Sequence, residues 1–148
     1  MKKMIFGLAI VFVSLMSGCA SVPMASPEAD ARAKEFKAHP TKASVYIYRN
    51  ETMGGAIKMP ITMDGKVIGS SAPNTYFHML VSPGKHTVNS LTENTATLSF
   101  DAKAKKKYFI WQEVKMGMWA AASALHMQSE SEGKRGVLEC NLASPSNM

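Results

Sequence analysis

Only two cysteines occur in 148 residues, Cys19 and Cys140, so no framework of disulfides can hold this fold together. No apolar run reaches the roughly 20 residues that a helix needs to span a hydrocarbon core; the run from Met4 to Met16 stops at the small pair Ser17 and Gly18. There is no G-x-S-x-G elbow, which removes the sequence mark of a nucleophile on an α/β-hydrolase turn. An internal repeat and a low-complexity tract are also missing. Acidic side chains are outnumbered, 11 against 17 Lys and Arg, and the formal charge is +6.

What is present begins with an export pattern. Lys2 and Lys3 precede the apolar run, as the charged and hydrophobic regions of a signal peptide do. Met16-Ser17-Gly18-Cys19 resembles the bacterial lipobox, with Met16 where leucine is commonest. The resemblance implies a signal peptide over residues 1–18, cleavage before Cys19, and a diacylglyceryl group on its thiol with a further acyl chain, such as palmitate, on the new amine. Two or more acyl chains give a stable membrane anchor, whereas one gives a marginal one. Ala20 follows the cysteine where an Asp would signal retention. By resemblance to lipoprotein sorting, this implies the outer membrane, facing the periplasm, in a host with two membranes.

Lys2 and Lys3 account for two of the six net charges, which leaves a mature chain of +4. Export sets nucleic acid aside as a partner, and anionic headgroups or envelope polymers are the accessible counter-charges. No cofactor is expected beyond the covalent lipid on Cys19.

Residues 19–42 carry Pro23, Pro27 and Pro40 among small and charged residues and read as a lipidated tether. Ser26-Pro27-Glu28 starts a short helix that is expected to run to about Lys37, with Phe36 docking on the domain. From Ala43 the period becomes two and turn signals recur about every 8 to 12 residues. The expected fold is an all-β, small antiparallel β-sandwich of about seven to nine strands over residues 43–143, preceded by that helix and followed by a tail at 144–148.

Asp64-Gly65 predicts a two-residue hairpin that pairs Met63 with Lys66 and Ile61 with Ile68. Pro83-Gly84 predicts a second hairpin, pairing Val81 with His86 and Met79 with Val88. Ala96, Leu98 and Phe100 alternate inward, and Tyr108 to Val114, apolar on both faces, is expected near the centre of its sheet. A strand is read near Ala124 to Gln128. Ser129 and Glu132 form a capping box, but Gly133 and Gly136 are expected to limit any helix to about a turn. Leu138, Cys140 and Leu142 read as a last strand.

The order Tyr46-Ile47-Tyr48-Arg49, Met63-Asp64-Gly65 and Ser82-Pro83-Gly84-Lys85-His86 resembles a bacterial lipoprotein domain family of unknown function, over about Phe36 to Ala143. The P-G-x-H element is similar to that of PEGA-type surface domains, small β-sandwiches of the cell envelope. The resemblance implies a fold and a location, and brings no catalytic residue.

Four histidines invite a metal site, but the hairpin register sets His78 and His86 on opposite faces and no cysteine or carboxylate cluster joins them. Glu113 is the one carboxylate expected to be partly buried, paired with Arg49. Twelve methionines without an M-x-x-M repeat suit core packing, and Cys140 reads as a small buried residue, with a disulfide between two chains as the alternative. Two surface candidates remain. Met116, Met118 and Trp119 around Gly117 form a possible binding patch, because an apolar loop is costly to leave in water. Lys103, Lys105, Lys106 and Lys107 are a possible anion contact. The favoured expectation is a non-catalytic envelope module that binds a protein, glycan or lipid. An inhibitor or immunity-type lipoprotein with a rigid protruding loop is the alternative, and a small hydrolase with a deep polar pocket comes third.

Overall fold

The computed structural model describes residues 21–146. The segment 1–18 read as a signal peptide, Cys19, Ala20 and the last two residues of the tail lie outside the described residues.

Among the described residues nine strands form two facing sheets, with two short helices against one of them. The strands are β1 (Ala43–Arg49), β2 (Met59–Met63), β3 (Lys66–Ser71), β4 (Thr75–Val81), β5 (Gly84–Leu91), β6 (Thr95–Ala102), β7 (Lys107–Met116), β8 (Ala121–Gln128) and β9 (Asn141–Leu142). One sheet has the order β8-β7-β1-β4-β9 and the other β3-β2-β5-β6. Strand β1 is buried along its whole length, because it is central in its sheet and covered on both faces. Its alternation divides the labour: Ala43, Val45 and Ile47 join Ile61, Phe77, Val88 and Ile110 between the sheets. Tyr46 and Tyr48 face the helices with Tyr76 and Phe109.

The β-sandwich stands, with a different strand order from the antiparallel one expected. Strands β1 and β7 pair in parallel, as do β4 and β9. Parallel neighbours need a crossover, and here the chain between β1 and β7 builds the whole second sheet and also β4 of the first.

The Asp64-Gly65 hairpin closes as expected, with Met63 opposite Lys66 and both turn residues at positive φ. Beyond Thr62 the register slips by a bulge, so Ile61 faces Gly69 and not Ile68. Gly69, at φ +153°, lies against the Phe77 ring, which a Cβ there would meet at 2.8 Å. Pro83-Gly84 does not make the expected hairpin. Strand β4 pairs with β1 along its length and with β9 at Thr75 and Tyr76, and the chain crosses at Ser82-Pro83 so that β5 pairs with β2 and β6 in the other sheet. The apolar set assigned from alternation survives, since Phe77, Val81, Val88 and Met79 all meet in the core between the sheets.

Strand β8 starts at Ala121, three residues before the expected point; pairing of Ala121 to Gln128 along β7 overrides the helix propensity of the alanines. Helix α2 (Glu130–Leu138) is longer than the single turn expected. Ser129 caps it by accepting the Glu132 N–H. Its glycines are contact residues: a Cβ on Gly136 would come 2.2 Å from the Tyr48 ring. The expected last strand is correspondingly reduced, with Leu138 in the helix and Cys140 in a turn, leaving only Asn141 and Leu142 as β9.

Helix α1 (Pro27–Ala33) starts on the Ser26 cap and ends short of Lys37. Phe36 docks as expected, 5.3 Å from the Tyr46 ring and 5.9 Å from Phe109. The segment read as a tether is fastened to the body from Val22, which packs on the inter-sheet core. Met24 bridges Ala143, and Asp30 accepts hydrogen bonds from the Tyr76 hydroxyl, the Leu142 N–H and Lys34. Burial pushes the Asp30 carboxyl up, but these three donors outweigh it and hold the group below its ordinary value.

Candidate functional site

Strands β7 and β8 continue past the body of their sheet and turn through Gly117 to Ala120. The carboxylate of Glu93, in the β5–β6 turn, accepts the backbone N–H groups of Met118, Trp119 and Ala120 at 2.9, 2.8 and 2.6 Å. Bonds from Trp119 and Ala120, with Met118 adding least, hold that carboxyl below its usual range against the opposing effect of desolvation. Asn94 adds a reciprocal pair with the Ser123 N–H and C=O, both at 2.9 Å. Gly117 has no room for a side chain, since a Cβ would meet the Ala120 carbonyl at 2.1 Å. The turn is therefore built into one shape, and that shape turns its apolar side chains outward. Met116 is 89% exposed, Met118 80% and Trp119 89%. Met53 and Ile57 of the β1–β2 loop are exposed beside them, across a shallow groove of about 300 Å³.

That neighbouring loop is held from beneath by Arg49, which is fully buried. Its guanidinium donates to the carbonyls of Ile57 (2.8 Å), Gly54 (3.0 Å), Met53 (3.2 Å) and Ser71 (3.4 Å). Glu51 closes the other side by accepting the Val114 N–H at 2.7 Å. Arg49 therefore does not pair with Glu113 as expected. Glu113 bonds His126 at 2.7 Å and Lys115 at 3.6 Å along its own hairpin. Sequence reasoning assigned Met116, Met118 and Trp119 to one patch, and the structure brings them together. It missed Glu93, whose sequence signal is the polar triplet Thr92-Glu93-Asn94 that closes a strand pair.

The lysine candidates occupy the opposite end of β7. Lys103, Lys105 and Lys106 are exposed in the β6–β7 turn, with Lys105 at φ +66° and its N–H on the Lys42 carbonyl. Lys107 is drawn off onto Glu130 at 3.0 Å. A second, polar groove between β1, β7 and α2 holds Glu132 paired with Arg135, and Glu139 bonded by Asn50 at 2.9 Å.

The histidines lie apart. His78 stacks on Tyr46 at 4.4 Å, and burial pushes its pKa down. His86 bonds Asp64 and the Ser82 carbonyl, both at 2.6 Å. Among the described residues no three His, Cys, Asp or Glu side chains converge as metal ligands, and no helix is long and apolar enough to cross a membrane.

A family described as "Protein of unknown function (DUF2846)" matches residues 39–124, from just before β1 into β8. An uncharacterized protein of Haemophilus influenzae is 36% identical over 145 residues, covering 96% of this chain and 83% of that protein. No solved structure matches the chain.

Proposed function

The chain belongs to the DUF2846 family of proteins of unknown function, and from that premise we propose that it serves as a lipid-anchored envelope module that binds and does not transform its partner. The observation that carries this reading is the close coupling of the lipobox to the folded body. Val22 is packed on the core and Met24 is bridged to Ala143, so only Ala20 and Ser21 separate Cys19 from residues fixed in the domain. Acyl chains on Cys19 would hold the domain against the bilayer with almost no slack, at the periplasmic face of an outer membrane if there are two membranes. The likeness to PEGA-type surface domains points to the same compartment.

A binding role is supported by the way the polar groups are used. Glu93, Glu113, Glu132 and Glu139 each serve a structural partner, while the largest investment in a fixed exposed shape is the apolar turn at Met116–Trp119. Non-covalent cofactors and nucleic acid have no part in this reading.

The inhibitor reading has one observation in its favour, the rigid projection of the β7–β8 turn. Its position counts against it: the turn leaves from the end of the sandwich where the chain begins, so an anchored domain would press it toward the lipid and away from a soluble enzyme's cleft.

Labelled palmitate tests the reading. Wild-type protein should take up label and sediment with membranes, and a Cys19→Ala variant should do neither. Equal labelling of both, or a wild type recovered in the soluble fraction, overturns it.

A further inference from the structure

We infer that the Met116–Trp119 turn is a membrane-contacting finger that enters the headgroup and acyl boundary of the bilayer to which Cys19 anchors the chain. The inference rests on the lipid-anchor reading and adds to it an orientation and an occupant for the apolar patch.

Strand directions supply the first argument. Strand β1 ends at Arg49, opposite Thr75 at the start of β4, and β7 runs parallel to β1 toward Met116. Ser21 lines a shallow groove together with Ala72, Pro73 and Thr75, so the described chain begins toward the same end of the sandwich as the apolar turn. The basic turn at Lys103 to Lys106 is at the far end.

Reach supplies the second. Pairing of Tyr48 with Trp111 leaves Gln112 level with Arg49, and β7 then continues four residues to Met116. At ~3.3 Å per residue the turn projects about 13 Å beyond the sheet's edge. Two residues of extended chain from Ser21 to Cys19 span at most about 7 Å. The turn therefore reaches at least as far from that end as two extended residues allow the anchor point, and about four strand spacings, ~19 Å across β1, β4 and β9, separate β7 from the segment that bridges Ala143.

Chemistry supplies the third. Trp and Met at a tip with cations nearby is the composition of an interfacial segment, and Lys58 in the β1–β2 loop and Lys115, next to Met116 and paired with Glu113, are exposed. The N–H groups of Met118, Trp119 and Ala120 are satisfied by Glu93, so at headgroup depth, where that exposed carboxylate keeps its water, the turn strands no backbone donor. A protein partner would need none of this alignment with the start of the chain.

The test uses full-length, lipidated protein in vesicles of phosphatidylethanolamine and phosphatidylglycerol with brominated or ordinary acyl chains. Tryptophan emission of the wild type should be lost in brominated vesicles relative to ordinary ones. The W119F variant, which keeps the half-buried Trp111, should float equally well and show no such loss. Protein that floats with the vesicles while Trp119 stays unquenched overturns the finger and leaves the anchor standing; that result would assign the patch to a protein partner. Protein that does not float at all overturns the anchor, and the finger with it.

Discussion

A Cβ built on Gly133 would stand 2.1 Å from the Cβ of Phe109, so helix α2 rests directly on the aromatic face of the five-stranded sheet. Two effects oppose each other in Gly133→Ala. Helix propensity favours alanine by up to about 1 kcal/mol, while forcing a methyl into a packed contact costs ~1–3 kcal/mol and must lift the helix. The contact should dominate, with a net loss of about 1–2 kcal/mol in urea unfolding. A Gly133→Ala variant more stable than wild type would mean that α2 can lift freely.

The same contact explains what was legible in the sequence. Alternation located most strands, and assigned Phe77, Met79, Val81 and Val88 to one core, because a half-buried strand imposes period two whatever its neighbours are. It could not say which strands pair. Pro83-Gly84 serves a hairpin and an inter-sheet crossing equally well, and only the pairing of β5 with β2 and β6 in the other sheet distinguishes them. Gly133 and Gly136 read locally as helix breakers, and only the distant Phe109 and Tyr48 give them a different purpose. At the candidate site the apolar residues announced themselves, whereas Glu93 is 26 positions from the Trp119 N–H that it holds.

Arg49 should be the most sensitive polar position. Its guanidinium serves carbonyls of Met53, Gly54, Ile57 and Ser71, and a lysine cannot reproduce that fork. Hydrogen bonds from a charged donor contribute roughly 1.5–3 kcal/mol each, not additively, so Arg49→Lys should lower stability by about 2–3 kcal/mol. It should also open the loop at 50–58 to proteolysis; unchanged stability with an intact loop would contradict this account of Arg49.

The His86–Asp64 pair ties the first hairpin to β5, since Asp64 also accepts the Thr87 N–H. Burial pushes the His86 pKa down, but Asp64 and the Ser82 carbonyl outweigh it and the value in the fold is raised above 6.5. A raised value in the folded state stabilises below 6.5, and that stability is lost as the pH rises through the folded value. The wild type should therefore exceed His86→Gln in denaturant midpoint below pH 6.5, and the gap should close as the solution becomes alkaline. A gap that widens with rising pH would show the opposite sign.

Cys140 is buried, its thiol donates toward the Arg49 carbonyl at 3.5 Å, and burial above all pushes its pKa up to about 12. Thiolate is the reactive form, so a maleimide or disulfide reagent near neutral pH should modify Cys140 only at the rate at which the fold opens. Rapid labelling of native protein would place the thiol at the surface.

The intact mass of the mature protein, extracted from membranes in detergent, tests the central claim most directly. The account predicts a chain that begins at Cys19 and carries the added mass of a diacylglyceryl group and an amide-linked acyl chain. A mature chain that starts at another residue, or that starts at Cys19 with no added mass, would contradict it.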